Sequence, residues 1–244
     1  MTGSKIRAPA VAGQFYSSSA SGLKRQVEER IDPGAHKVEA IACILPHAGY
    51  MYSGSVAGQT VSAITIKEKV ILLGPNHTGL GKPCSIMTEG AWKTPLGEVG
   101  IDSDLARSIL KGCPYLDDEP AAHLQEHSLE VELPFLQYFK HDFKIVPLAL
   151  SCDEPSKLKD IGRDIARVVK SSGLEGSVLL VASSDMTHYE PDAQARQKDK
   201  AAIEAILTLD EQGLAERVLR LNISMCGLAP VIAVISASRA LGAT

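Results

Sequence analysis

Three histidines, His47, His77 and His188, share one setting: each lies in a short loop that follows an apolar run, in PHAGYMYSG, PNHTG and MTH respectively. Imidazole is the commonest side-chain metal ligand and the usual acid–base group near neutral pH, so each ring can serve as ligand or as proton carrier. Spacing along the chain leaves both roles open. One such histidine alone would read as structural, whereas three in the same setting point to a shared site. A further group comes from the far end of the chain. In NISMCGLAPVIAVISASRAL a loop gives way to a helix with Pro230 in its first turn, where the missing N–H costs nothing. Cys226 therefore falls at or just before a helix N-terminus. The helix dipole and free amides there favour thiolate, the form that attacks electrophiles or binds metal.

Asp185 precedes His188 by three residues in SSDMTH, close enough on a tight turn to orient that imidazole or to cap the next helix. The segment AAHLQEHSLEVELPFLQYF places His123, His127 and Glu130 on one helical face through spacings of four and three. It lacks the HExxH order, and Pro134 implies a kink or break, which argues against zinc-protease chemistry. We read it as a helix whose polar face orients partners behind the site. His36 and His141 lie in polar surroundings and read as surface residues. Aromatic residues are only 5% of the chain, so the pairs Phe15/Tyr16 and Tyr50/Tyr52 stand out as candidates to line a pocket, with core packing as the ordinary alternative.

The elements that must position these groups are legible as apolar runs. AIACIL (40–45), KVILLG (69–74), FKIVPLAL (143–150) and SVLLVAS (177–183) are near-continuously hydrophobic, as strands buried on both faces of a sheet are. Leu23, Val27 and Ile31 mark one amphipathic helix. Leu158, Ile161, Ile165, Val168 and Val169 mark another that stops before Gly173, and Pro191 to Leu209 carries a third helical pattern. Strands alternating with helices imply βαβ units and a mostly parallel sheet covered on both sides. Ligands of open α/β sheets bind beyond the carboxyl ends of the strands, so histidines far apart in sequence can converge there. No repeat or linker divides the chain, and a single domain over residues 1–244 is expected.

With 25 Lys+Arg against 29 Asp+Glu the net charge is −4, which argues against nucleic acid as a partner. Hydrophobic residues at 45% and charged residues at 22% are globular values, and 244 residues bury enough core to fold without disulfides. The five cysteines, Cys43, Cys84, Cys113, Cys152 and Cys226, are odd in number and contain no CxxC pair. A secreted disulfide framework and a zinc ribbon are both disfavoured. All but Cys226 read as small buried or incidental thiols. No run approaches the ~18 apolar residues of a membrane span. The opening MTGSKIRAPAVAGQFY lacks the apolar core of a secretory signal, so a cytoplasmic protein without a membrane partner is expected.

The strings AGQFY, LPHAGYMYSG, LLGPNH, TPLGEV, EHSLEVELPFLQ, SSDMTHY and NISMCG, in this order and spanning nearly the whole chain, resemble the MEMO family, whose prokaryotic members are called AmmeMemoRadiSam system protein B. The resemblance implies a three-layer αβα sandwich with a mostly parallel central sheet, similar to the class III extradiol dioxygenases. It implies a mononuclear metal site of His47, His77 and Cys226, with Asp185 and His188 completing the pocket. The related dioxygenases use two histidines and a carboxylate on non-haem iron, with a further histidine for acid–base work. Cys226 would replace that carboxylate, which argues against ring cleavage. A thiolate favours iron, copper or zinc over magnesium or calcium.

The leading expectation is a metal-dependent redox enzyme with iron or copper, zinc also being compatible. His188 would move protons with Asp185 orienting it, and Phe15 and Tyr52 would line the substrate pocket. One alternative is a module that binds a protein or peptide in a vestigial pocket. Another is a metal-dependent hydrolase. The family label further implies an AMMECR1-like protein and a radical SAM enzyme as partners, beside an unidentified small-molecule or peptide ligand.

Overall fold

The computed structural model describes residues 6–244; the first five residues of the segment read above for a secretory core lie outside the described residues. In chain order the elements are β1 (Ile6–Arg7), α1 (Ala20–Glu28), β2 (Ala42–Leu45), α2 (Tyr50–Ser62), β3 (Lys69–Pro75) and β4 (Cys84–Ile86). Next come β5 (Ala91–Thr94), β6 (Gly97–Gly100), α3 (Ser103–Gly112), β7 (Asp117–Asp118), α4 (Ala121–Leu124) and α5 (Leu133–Phe139). The chain ends with β8 (Lys144–Leu150), α6 (Pro155–Ser171), β9 (Val178–Ser183), α7 (Asp192–Leu207), α8 (Glu211–Leu221) and α9 (Leu228–Leu241).

The four apolar runs become β2, β3, β8 and β9, four consecutive strands of a six-stranded sheet ordered β2-β9-β3-β8-β4-β7, with β2 at one edge. β9 runs parallel to both β2 and β3, β3 runs parallel to β8, and only the β4–β8 pair is antiparallel. Val70 to Leu73 and Val178 to Ala182 are buried throughout because helices cover both faces. On one face α9 packs against β2, β3, β8 and β9 and is itself covered by α6 and α8. Its residues Pro230 to Ser238 are all buried, as expected for a helix apolar on every side. On the other face α2 packs on β2 and α5, and α1 packs on α2 and α5. The result is a three-layer αβα sandwich with a mostly parallel sheet. A small sheet of order β1-β5-β6 lies beside it, built from strands too short to leave a periodic pattern.

The EHSLEVEL segment departs from the expected helix. α4 stops at Leu124 and α5 starts at Leu133, with turns between. The reason is local: the Glu126 carboxylate accepts the backbone N–H groups of His127 and Ser128, both at 2.9 Å, and so offers the chain an alternative to helical bonds. Pro134 then sits in the first turn of α5, where its absent N–H is harmless. His123, His127 and Glu130 consequently face three different ways. His123 is buried against Trp92, His127 turns to the end of the sheet, and Glu130 pairs with Arg7.

Among the described residues, no helix is long and apolar enough to cross a membrane.

Candidate metal centre

Because β2, β9 and β3 are adjacent and parallel, their carboxyl ends share one edge of the sheet. His47 follows β2 by two residues, His77 follows β3 by two, and Ser183 ends β9 between them. The Nδ1 of His47 lies 2.7 Å from Ser183 Oγ, whose own proton goes to the Ser128 carbonyl at 2.8 Å. Ser183 therefore accepts from His47 Nδ1–H, and the lone pair is left on Nε2. Burial, opposed by Asp185, pushes the His47 pKa down to about 4, which keeps this ring neutral. Its Nε2 points at Cys226 Sγ, 3.2 Å away.

His77 is held in the same manner. Its Nδ1 is 2.9 Å from Glu126 Oε1, and its backbone N–H donates to Glu126 Oε2 at 2.5 Å. The Cys226 sulfur and the Glu126 carboxylate both favour the protonated ring and raise its pKa to about 10. Burial works against the charge of Glu126, yet the hydrogen bonds from His77 and from the Ser128 backbone bring its pKa down to about 2. Glu126 is thus a fully buried carboxylate that stays ionised because every contact it makes is a donor.

The structure adds a third imidazole. The rings of His77 and His127 stack with centroids 4.7 Å apart, and His47 stands edge-on to both at 5.2 and 5.5 Å. One donor atom from each of His47, His77 and His127 lies within 4.8 Å of the others, and the same holds for His47, Asp185 and Cys226. His47 belongs to both groups. Burial lowers the pKa of His127, which favours the neutral ring and its one nitrogen lone pair.

Cys226 immediately precedes Gly227, the N-cap of α9. Its sulfur accepts the Asp185 N–H at 3.2 Å. This seat requires glycine at 227, since a Cβ there would lie 2.3 Å from both the Ser183 carbonyl oxygen and Ser184 Cβ. Gly74 has a similar place at the end of β3, where a Cβ would meet Ser128 Oγ and Leu129 at 2.7 Å.

One expected contact is not made. Asp185 does not orient His188: its Oδ1 accepts the backbone N–H groups of His47 and Ala48 at 2.9 and 3.3 Å, and its Oδ2 lies 3.8 Å from His47 Nε2. The carboxylate serves the loop in front of it. His188 instead donates Nδ1–H to the Ser224 carbonyl at 2.8 Å and its backbone N–H to Ser224 Oγ at 2.7 Å, and it belongs to neither donor group. Phe15 and Tyr52 both line a cavity of about 610 Å³, and Phe15 packs on His127 with centroids 4.9 Å apart. A second cavity of about 390 Å³ is lined by His77, Cys226 and Cys152.

Sequence reasoning set His127 on a helical face behind the site and missed Glu126 and Ser183 altogether. The first two lie in EHSLEVEL, where helical spacing misdirected the reading, and Ser183 is the first serine of SSDMTH. Chemically the donors suit a transition ion. Ligands bound at about 2.0 Å (nitrogen) and 2.3 Å (sulfur) in a tetrahedral arrangement stand roughly 3.5 Å apart, near the 3.2 Å between His47 Nε2 and Cys226 Sγ. Partners on the Nδ1 atoms of His47 and His77 are the usual outer support of metal-bound imidazoles.

The family model described as Memo-like protein matches residues 7–244. A MEMO1 family protein of Methanopyrus kandleri is 42% identical, covering 98% of this chain and 88% of the relative. A MEMO1 family protein of Aquifex aeolicus is 44% identical over 98% of this chain and 89% of its own length. The crystal structure of an uncharacterized Escherichia coli K12 protein covers 71% of this chain and 76% of its own, with TM-score 0.44 and 15% identity, a likeness too slight to bear on function. Matched along almost its whole length at about 40% identity, the chain belongs to the Memo-like protein family.

Proposed function

We propose that this protein holds a single iron or copper ion and acts in redox chemistry on a small molecule or peptide that enters through the flanking cavities. His47, His77 and Cys226 hold the ion in this reading, with His127 as a further donor. One observation supports it above the rest: His47 Nε2, its lone pair assigned by the Ser183 contact behind it, faces Cys226 Sγ at 3.2 Å. Such an ion supplies Lewis acidity and one-electron chemistry when bound. The chain's own residues supply orientation and proton traffic. Ser183 and Glu126 hold the two rings by Nδ1, and Asp185 clamps the His47–Ala48 backbone. His188, with Nδ1–H committed to Ser224, offers Nε2 to carry protons at the rim. Phe15 and Tyr52 contact the substrate.

The test is anaerobic purification followed by elemental analysis and electron paramagnetic resonance of the native chain and of Cys226→Ser. About one iron or copper per native chain is expected. The variant should lose more affinity than the ~10–100-fold typical when a group behind a ligand is removed. Unchanged stoichiometry and spectrum in Cys226→Ser would overturn the assignment.

A second reading, recognition of a peptide, has one observation in its favour: Met51 and Tyr52 are exposed to 77% and 78% at the mouth of the cavity that Phe15 lines. A metal-free His47→Ala variant that binds its ligand as tightly as the native protein would favour this reading over the metal-centred one.

A further inference from the structure

Cys84 and Cys152, read from sequence as incidental thiols, meet. Their Sγ atoms are 2.9 Å apart across 68 residues of chain. A disulfide bond spans about 2.05 Å, so an approach of less than about 1 Å joins them. Strand pairing holds both in place. Cys84 opens β4 opposite Leu150 of β8, and Ser151 N–H donates to the Pro83 carbonyl at 2.7 Å, one residue from each cysteine. All five cysteines are free thiols here.

We propose that Cys84 and Cys152 form a thiol–disulfide exchange site, beside the metal centre, for low-molecular-weight disulfides of the glutathione class. The two sulfurs are unequal in the way that chemistry requires. Cys84 is 2% exposed, whereas Cys152 is partly exposed and lines the cavity of about 390 Å³. The Cys84 hydrogen bond and the nearby Lys157 ammonium lower the pKa of the Cys152 thiol, while that hydrogen bond and burial raise that of Cys84. Cys152 is the attacking sulfur and Cys84 the resolving one.

The exchange balances without a further oxidant. The Cys152 thiolate attacks one sulfur of the small disulfide, forms a mixed disulfide and expels one thiolate. That thiolate, or solvent, takes the Cys84 proton. Cys84 then attacks Cys152 Sγ, closing the protein disulfide and expelling the second small thiolate. One small disulfide and two protein thiols become one protein disulfide and two small thiols. The adduct stage occupies the cavity that His77 and Cys226 also line.

The test incubates the full chain with oxidised glutathione under chelating, anaerobic conditions, then alkylates, digests and maps thiols by mass spectrometry. A Cys84–Cys152 linked peptide should form at least 10-fold faster than adducts at Cys43 or Cys113. It should form as readily under chelation as without it, which separates this site from the metal proposal. Cys84→Ser should stop at a glutathione adduct on Cys152, and Cys152→Ser should leave Cys84 free for alkylation. Absence of the linked peptide from the native chain would overturn the proposal even if a variant folds poorly. An adduct that settles on Cys226 with the pair untouched would overturn it equally.

Discussion

His47 Nε2 lies 3.2 Å from Cys226 Sγ, although 179 residues separate the two in sequence. The contact exists because β2 and the start of α9 both abut the end of β9. His47 leans on Ser183, and Cys226 receives the N–H of Asp185, two residues further on.

Among the described residues Ser183 is the only hydroxyl bonded to His47, and it decides which nitrogen faces the sulfur. Ser183→Ala removes the acceptor for Nδ1–H and lets the ring adopt the other tautomer. Metal affinity measured by competition with a chelator should fall about 10–100-fold, with little change in fold. An unaltered affinity would count against the role given to this pair.

Gly227→Ala should displace Cys226 without touching its chemistry. The new Cβ meets the Ser183 carbonyl and Ser184 Cβ at 2.3 Å, so the backbone before α9 must shift. We expect a stability loss of about 1–3 kcal/mol by urea unfolding, together with reduced metal content. Full metal content at native stability would show that this close approach has no part in seating the thiol.

Arg7 and Glu130 form a fully buried ion pair. Arg7 also donates to the carbonyls of His123 at 2.9 Å and Glu126 at 2.5 Å, and Glu130 accepts from Ala10, Val11 and Tyr16. Arg7→Met leaves a buried carboxylate without its cation, a change that costs about 3–5 kcal/mol. Chemical denaturation should read that loss. A change under about 1 kcal/mol would mean the remaining donors to Glu130 suffice.

His123 makes stability depend on pH. Burial, followed by the nearby Arg7 charge, lowers its pKa to about 3 in the folded protein, against 6.5 for the free side chain. Between those values the unfolded chain binds the additional proton, so stability falls as pH drops through that window, by up to ~1.4 kcal/mol per pH unit from this group. His47, also depressed, adds a slope of the same sign. His123→Phe should therefore flatten, without abolishing, the decline measured by urea unfolding between pH 6.5 and 5. An identical slope in the variant would show that His123 protonates without unfolding.

The central strands were legible because burial on both faces imposes a continuous apolar run, as in Val70 to Leu73 and Val178 to Ala182. Strands β4 and β7 and the small sheet were not, since two to four residues such as Asp117–Asp118 or Ile6–Arg7 carry no readable period. EHSLEVEL misled for a different reason: its spacing is helical, but the Glu126 carboxylate captures the backbone N–H groups on which a helix there would depend.

By itself the sequence determined that His47 and His77 follow buried strands and that Cys226 precedes a helix, because hydrophobic periodicity and cap residues are local signals. Tertiary structure alone decided that β9 lies between β2 and β3, that Ser183 stands behind His47, and that His127 joins the cluster while His188 bonds to Ser224 instead. It also brought Cys84 to Cys152. Strand order and loop direction are set by long-range burial and by where each backbone N–H finds its acceptor, and neither leaves a trace in the spacing of neighbouring residues.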